Sequence, residues 1–397
     1  MPTITTREPI LRQEEACIER GTSFGTKPNL RVAEFFSGIG LVRLALERQS
    51  WHVAFANDID PKKAEIYRHN WPDCNHLVVA DIHSLKPENI PDCTLFTASF
   101  PCNDLSIAGR WEGLHGKESS SFWGLVRLLC ELGPRKPSLV LLENVVGFLM
   151  SHGGRDFEQA LLALNDLGYT VDALILNAIH WVPQSRPRLF VVAKRDHGQQ
   201  RRSFGLVNDA RPEALFHFIT EHPNIRWDLR DLPRLPRRRT QLADIVEDLP
   251  DDDPHWWNAE RVDYFMGQMS AKHESQARQM IAGNSYTYAT AFRRVRHKKS
   301  MAELRTDGIA GCLRTPRGGS GRQILFKAGR GEYRVRLLTA RECARLQGVP
   351  DSYVIDVPLN QALFGFGDAV CVPAVEWIAK HYLTPVASVL ETTETDG

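Results

Sequence analysis

A cysteine stands where a predicted strand ends in a polar loop. The apolar run 95–98 predicts a buried strand, and the chain then continues through Pro101 to Cys102. Proline fixes φ and removes a backbone donor, so the direction of the loop is partly preset. A cysteine nucleophile needs thiolate character, access and a positioned acid or base. Cysteines are more often small buried apolar residues, so Cys102 needs support from its neighbours.

An acid and two arginines are candidates to complete such a site. Glu143 follows the predicted strand 139–142, and it would share a cleft with Cys102 if the two strands are neighbours. Arg186 and Arg188 flank a proline that keeps the segment extended, so both guanidinium groups could point into the same cleft. Taken alone, Glu143 is better explained as an exposed strand-end acid, and the arginines as part of a solvated turn.

The turn after the first predicted strand suits a nucleotide-like ligand. Residues 36–40 (Phe-Ser-Gly-Ile-Gly) place two glycines where the backbone turns sharply at a helix N-terminus. Asp58 comes 20 residues after Gly38, where nucleotide-binding folds place an acid that meets ribose hydroxyls. Glycines alone often just close turns, but the acid favours an adenosine-containing cofactor. The missing third glycine argues against a dinucleotide.

An α/β sheet would bring these residues together. The predicted strands cover residues 32–36, 51–56, 77–80, 95–98, 139–142, 170–176 and 189–193, and the predicted helices cover residues 41–49, 122–132, 156–167, 339–346 and 372–383. Polar residues follow four of these strands, namely Asp58, Asp81, Cys102 and Glu143. Ligands bind at the carboxyl ends of strands in open α/β sheets, so we expect these residues to border one site.

The chain has a basic middle segment. Its 397 residues carry a net charge of +1, but residues 201–330 contain 23 Lys and Arg against 16 Asp and Glu, a net charge of +7. Hydrophobic periodicity is weak there, so we predict a loop-rich inserted domain. The predicted divisions are a flexible tail (1–29), a catalytic and cofactor-binding domain (30–196), the inserted domain (197–330) and a return to the first domain (331–397).

The sequence gives no sign of a metal, disulfide or membrane requirement. The eight cysteines are scattered without a CxxC pair, which suggests neither a disulfide framework nor a zinc site. Apolar runs stay below the roughly 18 residues that span a bilayer, and the N-terminus lacks a signal-peptide pattern. We therefore expect a soluble intracellular protein with no metal and no membrane partner.

Taken in chain order, the motifs resemble those of the DNA (cytosine-5) methyltransferase family, in its bacterial modification-methylase form. The matching segments are 36–40, 57–60, 81–82, 100–102, 143–145, 184–188, 336–347 and 367–370. The resemblance runs from about residue 31 to residue 383, and residues 197–305 fall where the family keeps its variable target-recognition domain. It implies a Rossmann-like methyltransferase sheet with a small, loop-rich inserted target-recognition domain.

The resemblance also implies a reaction. S-adenosylmethionine would be the methyl donor and S-adenosylhomocysteine the product, and double-stranded DNA the partner. Cys102 would attack carbon 6 of a flipped-out cytosine, while Glu143 would bind the ring at nitrogen 3. Arg188 would help hold the base, and Arg186 would support it or a phosphate. A prokaryotic cytoplasmic role in restriction-modification or phage defence follows from the same resemblance.

Two further sets of residues are implied. Asp58 would bind ribose, Ile59 and Ile82 would pack on adenine, and Asp81 would meet its exocyclic amine. The whole cofactor set is Phe36, Ser37, Gly38, Ile39, Gly40, Asp58, Ile59, Asp81, Ile82, Pro101, Asp368 and Val370. The expected DNA contacts are Ser106, Arg293, Arg294, Arg296, Arg314, Arg317 and Arg322.

Two residues depart from the family pattern. Asn103 stands where the family usually has Gln after the catalytic cysteine, and Asp368 where its last motif usually has Asn. A carboxylate at position 368 would favour the ammonium group of the cofactor and repel its carboxylate. Two alternatives stay open: a DNA-binding regulatory homologue without catalysis, and a tRNA methyltransferase on the same scaffold.

Overall fold

The computed structural model describes residues 30–101, 121–195, 207–296, 298–316 and 321–395, with side chains described up to residue 390 except at residue 296. The predicted site residues Cys102, Ser106 and Arg317 lie outside the described residues, as do Asn103 and the side chain of Arg296.

A seven-stranded sheet forms the centre of the larger domain. Its strands are β1 (Arg31–Phe35), β2 (His52–Asp58), β3 (Leu77–Val79), β4 (Leu95–Ala98), β5 (Leu139–Val145), β6 (Tyr169–Asn177) and β7 (Pro187–Arg195), in the order β3-β2-β1-β4-β5-β7-β6. Strands β1 to β5 pair in parallel, whereas β7 runs antiparallel to both β5 and β6. The link between β6 and β7 is too short for the crossover that a parallel pair requires. The α/β prediction is confirmed, with this one reversed strand.

Helices cover both faces of the sheet. They are α1 (Leu41–Glu47), α2 (Pro61–Asn70), α3 (Ser121–Glu131), α4 (Arg155–Asp166), α5 (Glu213–Glu221) and α6 (Leu242–Ile245), followed after the smaller domain by α9 (Ala340–Leu346), α10 (Leu359–Asp368), α11 (Val372–Ile378) and α12 (Thr384–Thr395). Buried side chains alternate between the faces along β1: Val32 belongs to one apolar cluster, and Ala33 and Phe35 to the other.

The smaller domain is built on a four-stranded antiparallel sheet. Helices α7 (Ala259–Met266) and α8 (Ala271–Ile281) precede strands β8 (Thr287–Arg296), β9 (Lys299–Arg305), β10 (Ile324–Gly329) and β11 (Glu332–Leu337), which pair in the order β11-β10-β8-β9. The domain is therefore more regular than the loop-rich prediction. Two buried positions of β8 are alanines, Ala289 and Ala291, so the strand lacks the apolar contrast that makes alternation visible in a sequence.

Both predicted limits of the inserted domain need correction. The limit after residue 330 falls in the turn of the β10–β11 hairpin, whose strands pair from Ile324 with Leu337 to Gly329 with Glu332. At the other end, α5 buries Leu215 and Phe218 in the core of the seven-stranded sheet. The separate apolar core of the smaller domain begins only at about Trp257.

The C-terminal helices form part of the larger core. Among the described residues, the segment Leu359–Leu390, which contains α10, α11 and the start of α12, is long and apolar enough to cross a membrane. Its apolar window is 67% buried, as is usual for the core helix of a soluble fold. Val372, Ile378 and Leu383 belong to the same apolar cluster as α1 and α2.

A carboxyl group is buried in strand β1, close to Arg43 of helix α1. Glu34 lies in β1 on the same face as Val32 and is 1% exposed. Burial raises the pKa of Glu34 to about 8, and the positive charge of Arg43 opposes this only in part. The carboxyl group is therefore protonated in the folded protein at neutral pH, whereas in the unfolded chain it is ionised.

We expect Glu34→Gln to make stability less dependent on pH. Between the ordinary pKa of 4.5 and the folded value of about 8, the folded state holds one more proton than the unfolded state. Stability of the wild type should therefore fall as pH rises through this window, by up to about 1.4 kcal/mol per pH unit. Urea unfolding at several pH values across this window should show the free energy of unfolding of the variant rising relative to that of the wild type as pH increases. A difference that stays constant with pH would contradict the burial argument.

Candidate active site

A single cavity collects most of the predicted site residues. It has a volume of about 860 Å³ and lies at the carboxyl ends of β1, β2, β4 and β5. The predicted residues that line it are Phe36, Ser37, Gly38, Ile39, Asp58, Ile59, Pro101, Glu143, Arg188, Arg314, Asp368 and Val370. Segments more than 300 residues apart in the sequence therefore meet at one site.

The turn after β1 is held in an unusual backbone conformation. Phe36, Gly38 and Gly40 all have positive φ, with values of 55°, 56° and 82°. Such a value is rare for phenylalanine and indicates strain that the surrounding structure must support. A Cβ atom on Gly40 would lie 2.4 Å from the ring of Trp71, so only glycine fits there. Gly40 supports the turn from behind and does not line the cavity.

Asp58 ties this turn to the end of β2. One carboxylate oxygen accepts a hydrogen bond from the backbone of Gly38 at 2.7 Å, and the other accepts one from the backbone of Asp60 at 2.8 Å. Each oxygen keeps a further lone pair for a hydroxyl donor. The acid thus fixes the shape of the turn and remains able to bind a diol.

Asp81 and Ile82 do not line the cavity, contrary to the prediction. The Asp81 carboxylate is exposed and accepts from the backbone of His83 at 2.9 Å, which caps the short 3₁₀ turn Ile82–Ser84. The Ile82 side chain is buried beneath α3, where a Cβ atom on Gly124 would come within 2.7 Å of it. The expected adenine contacts of this pair gain no support from these positions.

Glu143 and Arg188 form an ion pair at the opposite end of the cavity. Arg188 Nε lies 3.1 Å from Glu143 Oε1, with 14% and 10% of the two side chains exposed. The Ser99 hydroxyl also donates to the Glu143 carboxyl. Burial raises the pKa of Glu143, and Arg188 and Arg186 lower it only in part. Burial therefore favours the protonated form of Glu143, the form that can donate a hydrogen bond to a ring nitrogen.

The prediction that the two strands are neighbours is confirmed. Strands β4 and β5 pair in parallel, and Ala98 lies opposite Leu142, which places Ser99 beside Glu143. Asn144 Nδ2 donates to the backbone oxygen of Phe100 at 3.1 Å and so fixes the start of the loop that leads to Cys102. Pro101, the residue before Cys102 in the chain, lines the cavity.

Arg186 has a different position from the one predicted. It is 1% exposed and does not line the cavity, so the predicted support of a phosphate is wrong. Its guanidinium group donates to the backbone oxygens of Leu313 at 2.8 Å, Gly367 at 3.0 Å and Ala369 at 2.5 Å. Burial lowers the pKa of Arg186 to about 10, which leaves it charged. Arg186 is thus a positioning residue that joins two cavity-lining segments.

Sequence reasoning missed two polar residues of the cavity. Lys63 in α2 forms an ion pair with Asp368, with Nζ 2.8 Å from Oδ2. Cys312 lines the cavity and lies close to Arg186, just before β7, and to Arg188 in β7. Neither residue lies in a motif, and the partners of Lys63 and Cys312 are more than 100 residues away in the chain, so no local signal could have found them.

The predicted DNA-binding arginines lie in different parts of the structure: Arg293 and Arg294 are in β8, and Arg314 lines the cavity. Arg293 in β8 lies 5.6 Å over the ring of Trp257. Burial and then the nearby charges of Arg293 and Arg322 lower the pKa of Arg261. These three arginines, which we call the basic cluster, therefore concentrate positive charge on the smaller domain. Arg294 points to the other face of β8 and lies 3.8 Å from Glu303.

The fold and the site define a class of enzyme. The larger domain combines a Rossmann-like sheet, a glycine turn after β1, an acid at the end of β2 and one reversed strand beside β5. Residues 30–384 match the family model described as C-5 cytosine-specific DNA methylase, and the chain belongs to this family. No group of three metal-ligating side chains occurs in the part of the chain that the structure describes.

Known proteins resemble the chain over nearly its whole length. The type II methyltransferase M.HhaI of Haemophilus parahaemolyticus is 28% identical over 361 residues, covering 89% of this chain and 94% of that protein. M.HpaII of Haemophilus parainfluenzae is 26% identical over 390 residues, covering 92% and 94%. The S. pombe Dnmt2 methyltransferase has a TM-score of 0.59 at 19% identity, covering 92% of this chain and 99% of that one, and shows the fold alone.

We expect Arg186→Met to destabilise the larger domain by roughly 3 kcal/mol or more, because three buried carbonyl oxygens lose a charged donor. Urea unfolding would measure the loss. Arg195→Met is the matched control, since Arg195 also belongs to β7 but its guanidinium group reaches two carbonyl oxygens only at 3.4 Å. The control should change stability by less than about 1 kcal/mol. Equal losses in the two variants would refute the positioning role.

Proposed function

We propose that the protein transfers a methyl group from S-adenosylmethionine to carbon 5 of cytosine in duplex DNA, through a covalent adduct with Cys102. Membership of the C-5 cytosine-specific DNA methylase family supports the reaction. The observation that carries the proposal is the shared cavity, in which the glycine turn and the Glu143–Arg188 pair face the same space.

The cavity fits the proposed cofactor. S-adenosylmethionine supplies an electrophilic methyl group on a sulfonium centre. Asp58 offers lone pairs to ribose hydroxyls, and the turn at Gly38 leaves room for close approach to the backbone. Ile59 is 63% exposed beside Asp58, which suits an apolar surface for adenine. Asp368 and Lys63 provide opposite charges for an amino-acid group.

The other end of the cavity suits a cytosine that has left the helix. The Cys102 thiolate would form a bond to carbon 6 of the base while protonated Glu143 donates to nitrogen 3, so that electron density collects at carbon 5. Carbon 5 then takes the methyl group. The carbon–sulfur bond of the donor would break in this step and leave S-adenosylhomocysteine. Transfer of the carbon 5 proton to water would then expel the Cys102 thiolate, return the nitrogen 3 proton to Glu143 and restore the aromatic ring. Arg188 would keep Glu143 and the base in place. The target cytosine must first unstack from its neighbours and leave the duplex to reach this end of the cavity.

Contacts with DNA phosphates would come from the smaller domain and the cavity rim. The basic cluster supports this assignment, as does Arg314 at the cavity. Ser106, Arg296 and Arg317 remain part of the proposal on sequence grounds. The type II methyltransferase relatives favour a modification role in a restriction-modification or phage-defence system, in the cytoplasm of a prokaryote.

We expect Cys102→Ser to abolish methylation and to leave DNA binding intact, because a hydroxyl is a far weaker nucleophile than a thiolate at neutral pH. Bisulfite sequencing of DNA from cells expressing each form would report activity and target together. A parallel assay with purified protein would offer duplex DNA and tRNA side by side. Wild-type protein that binds DNA without methylating any cytosine would point to a regulatory homologue, and methylation of tRNA alone to an RNA enzyme.

We expect Lys63→Met to weaken binding of S-adenosylmethionine about three- to tenfold, measured by calorimetry. The variant leaves the Asp368 carboxylate without its partner beside the cofactor carboxylate, but Asp368 is 44% exposed, so solvent screens much of the effect. Asp368→Asn should be nearly neutral by itself and should restore affinity in the Lys63→Met background. Equal losses in the single and double variants would contradict the charge argument.

A further inference from the structure

The thiol of Cys312 lies against both arginines near the catalytic end of the cavity. Its Sγ atom is 3.3 Å from Arg186 Nη1, and 4.0 and 3.9 Å from Arg188 Nη1 and Nη2. Arg188 directs its Nε toward Glu143, so its guanidinium group is held on one edge by the carboxyl and on the other by the sulfur. Cys312 itself lines the cavity.

Positive charge exceeds negative charge in this cluster. Arg186 is buried and Arg188 nearly so, with the single carboxyl group of Glu143 beside them. When Glu143 is protonated, a neutral thiol would leave two guanidinium groups without an anion in a site of low dielectric. The other charged residues that line the cavity are Asp58, Asp60, Lys63, Arg314 and Asp368. Of these, Asp58 bonds to the turn and Asp368 to Lys63.

We propose that Cys312 is a thiolate that accepts hydrogen bonds from both Arg186 and Arg188, and that it is thereby a positioning residue for methyl transfer. The role in methyl transfer rests on the proposed function, whereas the thiolate does not. Arg186 bonds to the backbone of Gly367 and Ala369, which line the cavity, and Arg188 pairs with the Glu143 carboxyl group. Cys312 contacts both arginines and so connects these two parts of the site. One sulfur therefore orients both ends of the site.

The ionisation of the thiol agrees with this arrangement. Burial alone would raise the pKa of Cys312, but Arg186 and Arg188 outweigh it, so the pKa lies below its ordinary value. The competing state is a neutral thiol that donates to the backbone oxygen of Leu313, 3.4 Å away. The two states differ in charge, so a titration separates them.

The first experiment measures that titration without requiring activity. Thiolate ultraviolet absorbance is followed against pH in the full-length Cys102→Ala protein and in the Cys102→Ala, Cys312→Ser double variant, and the difference belongs to Cys312. We expect a midpoint below the roughly 8.5 of a free thiol. Adding Arg188→Met should raise the midpoint. A midpoint at or above that of a free thiol, or no response to Arg188→Met, would overturn the proposal.

The second experiment separates hydrogen bonding from packing. Cys312→Ser keeps an acceptor for the arginines, whereas Cys312→Val keeps apolar volume and loses the acceptor. We expect the methyl-transfer rate constant of Cys312→Val to be at least about tenfold below that of Cys312→Ser. Urea unfolding of both variants controls for folding. A rate for Cys312→Val equal to or above that of Cys312→Ser would show that packing alone is needed. If the wild type transfers no methyl group, the proposed function fails, and the titration still decides the state of Cys312.

Discussion

The direction of strand β7 decides which residues can meet at the site. In a parallel sheet, β7 would begin at the amino edge and carry its first residues away from Glu143. Because β7 runs antiparallel to β5, Arg188 pairs in register with Val145 at the carboxyl edge. The short link from β6 imposes this reversal, since it has no room for a crossover. The ion pair between Arg188 and Glu143 follows from that topology.

Burial of charge sets the chemical properties of the site. Glu143 and Arg186 are both removed from water, and burial shifts the pKa of each toward its neutral form. The two residues differ in their partners: Arg186 donates to three backbone oxygens, whereas Glu143 is bound by the side chains of Arg188 and Ser99. Arg186 therefore stays charged and rigid, and Glu143 remains able to exchange a proton. A single desolvated region thus provides both a fixed anchor and a titratable group.

Local features of the site were predictable from the sequence, and distant pairings were not. The helices predicted over residues 156–167 and 339–346 have end signals that are local in the sequence: Gly168 has a positive φ after α4, and Thr339 and Glu342 form a capping box at the start of α9. The glycine turn is also local, and Asp58 was predictable from its spacing of 20 residues from Gly38. Lys63 and Asp368 lie 305 residues apart, and no local pattern joins them. The role of Arg186 was misjudged because its motif gives the residue type but not its burial.

The smaller domain is attached through a charged contact that excludes water. Arg336, at the end of β11, and Glu342, in α9, are both 0% exposed and pair at 2.5 Å. Glu342 also accepts from the backbone of Thr339 and of Glu247, so the contact joins the last strand of the smaller domain to helix α9 and to the segment that enters the domain. A buried ion pair contributes little net stability, but an arrangement that separates its partners leaves an uncompensated buried charge and is strongly disfavoured. This junction therefore fixes where the basic cluster lies relative to the cavity.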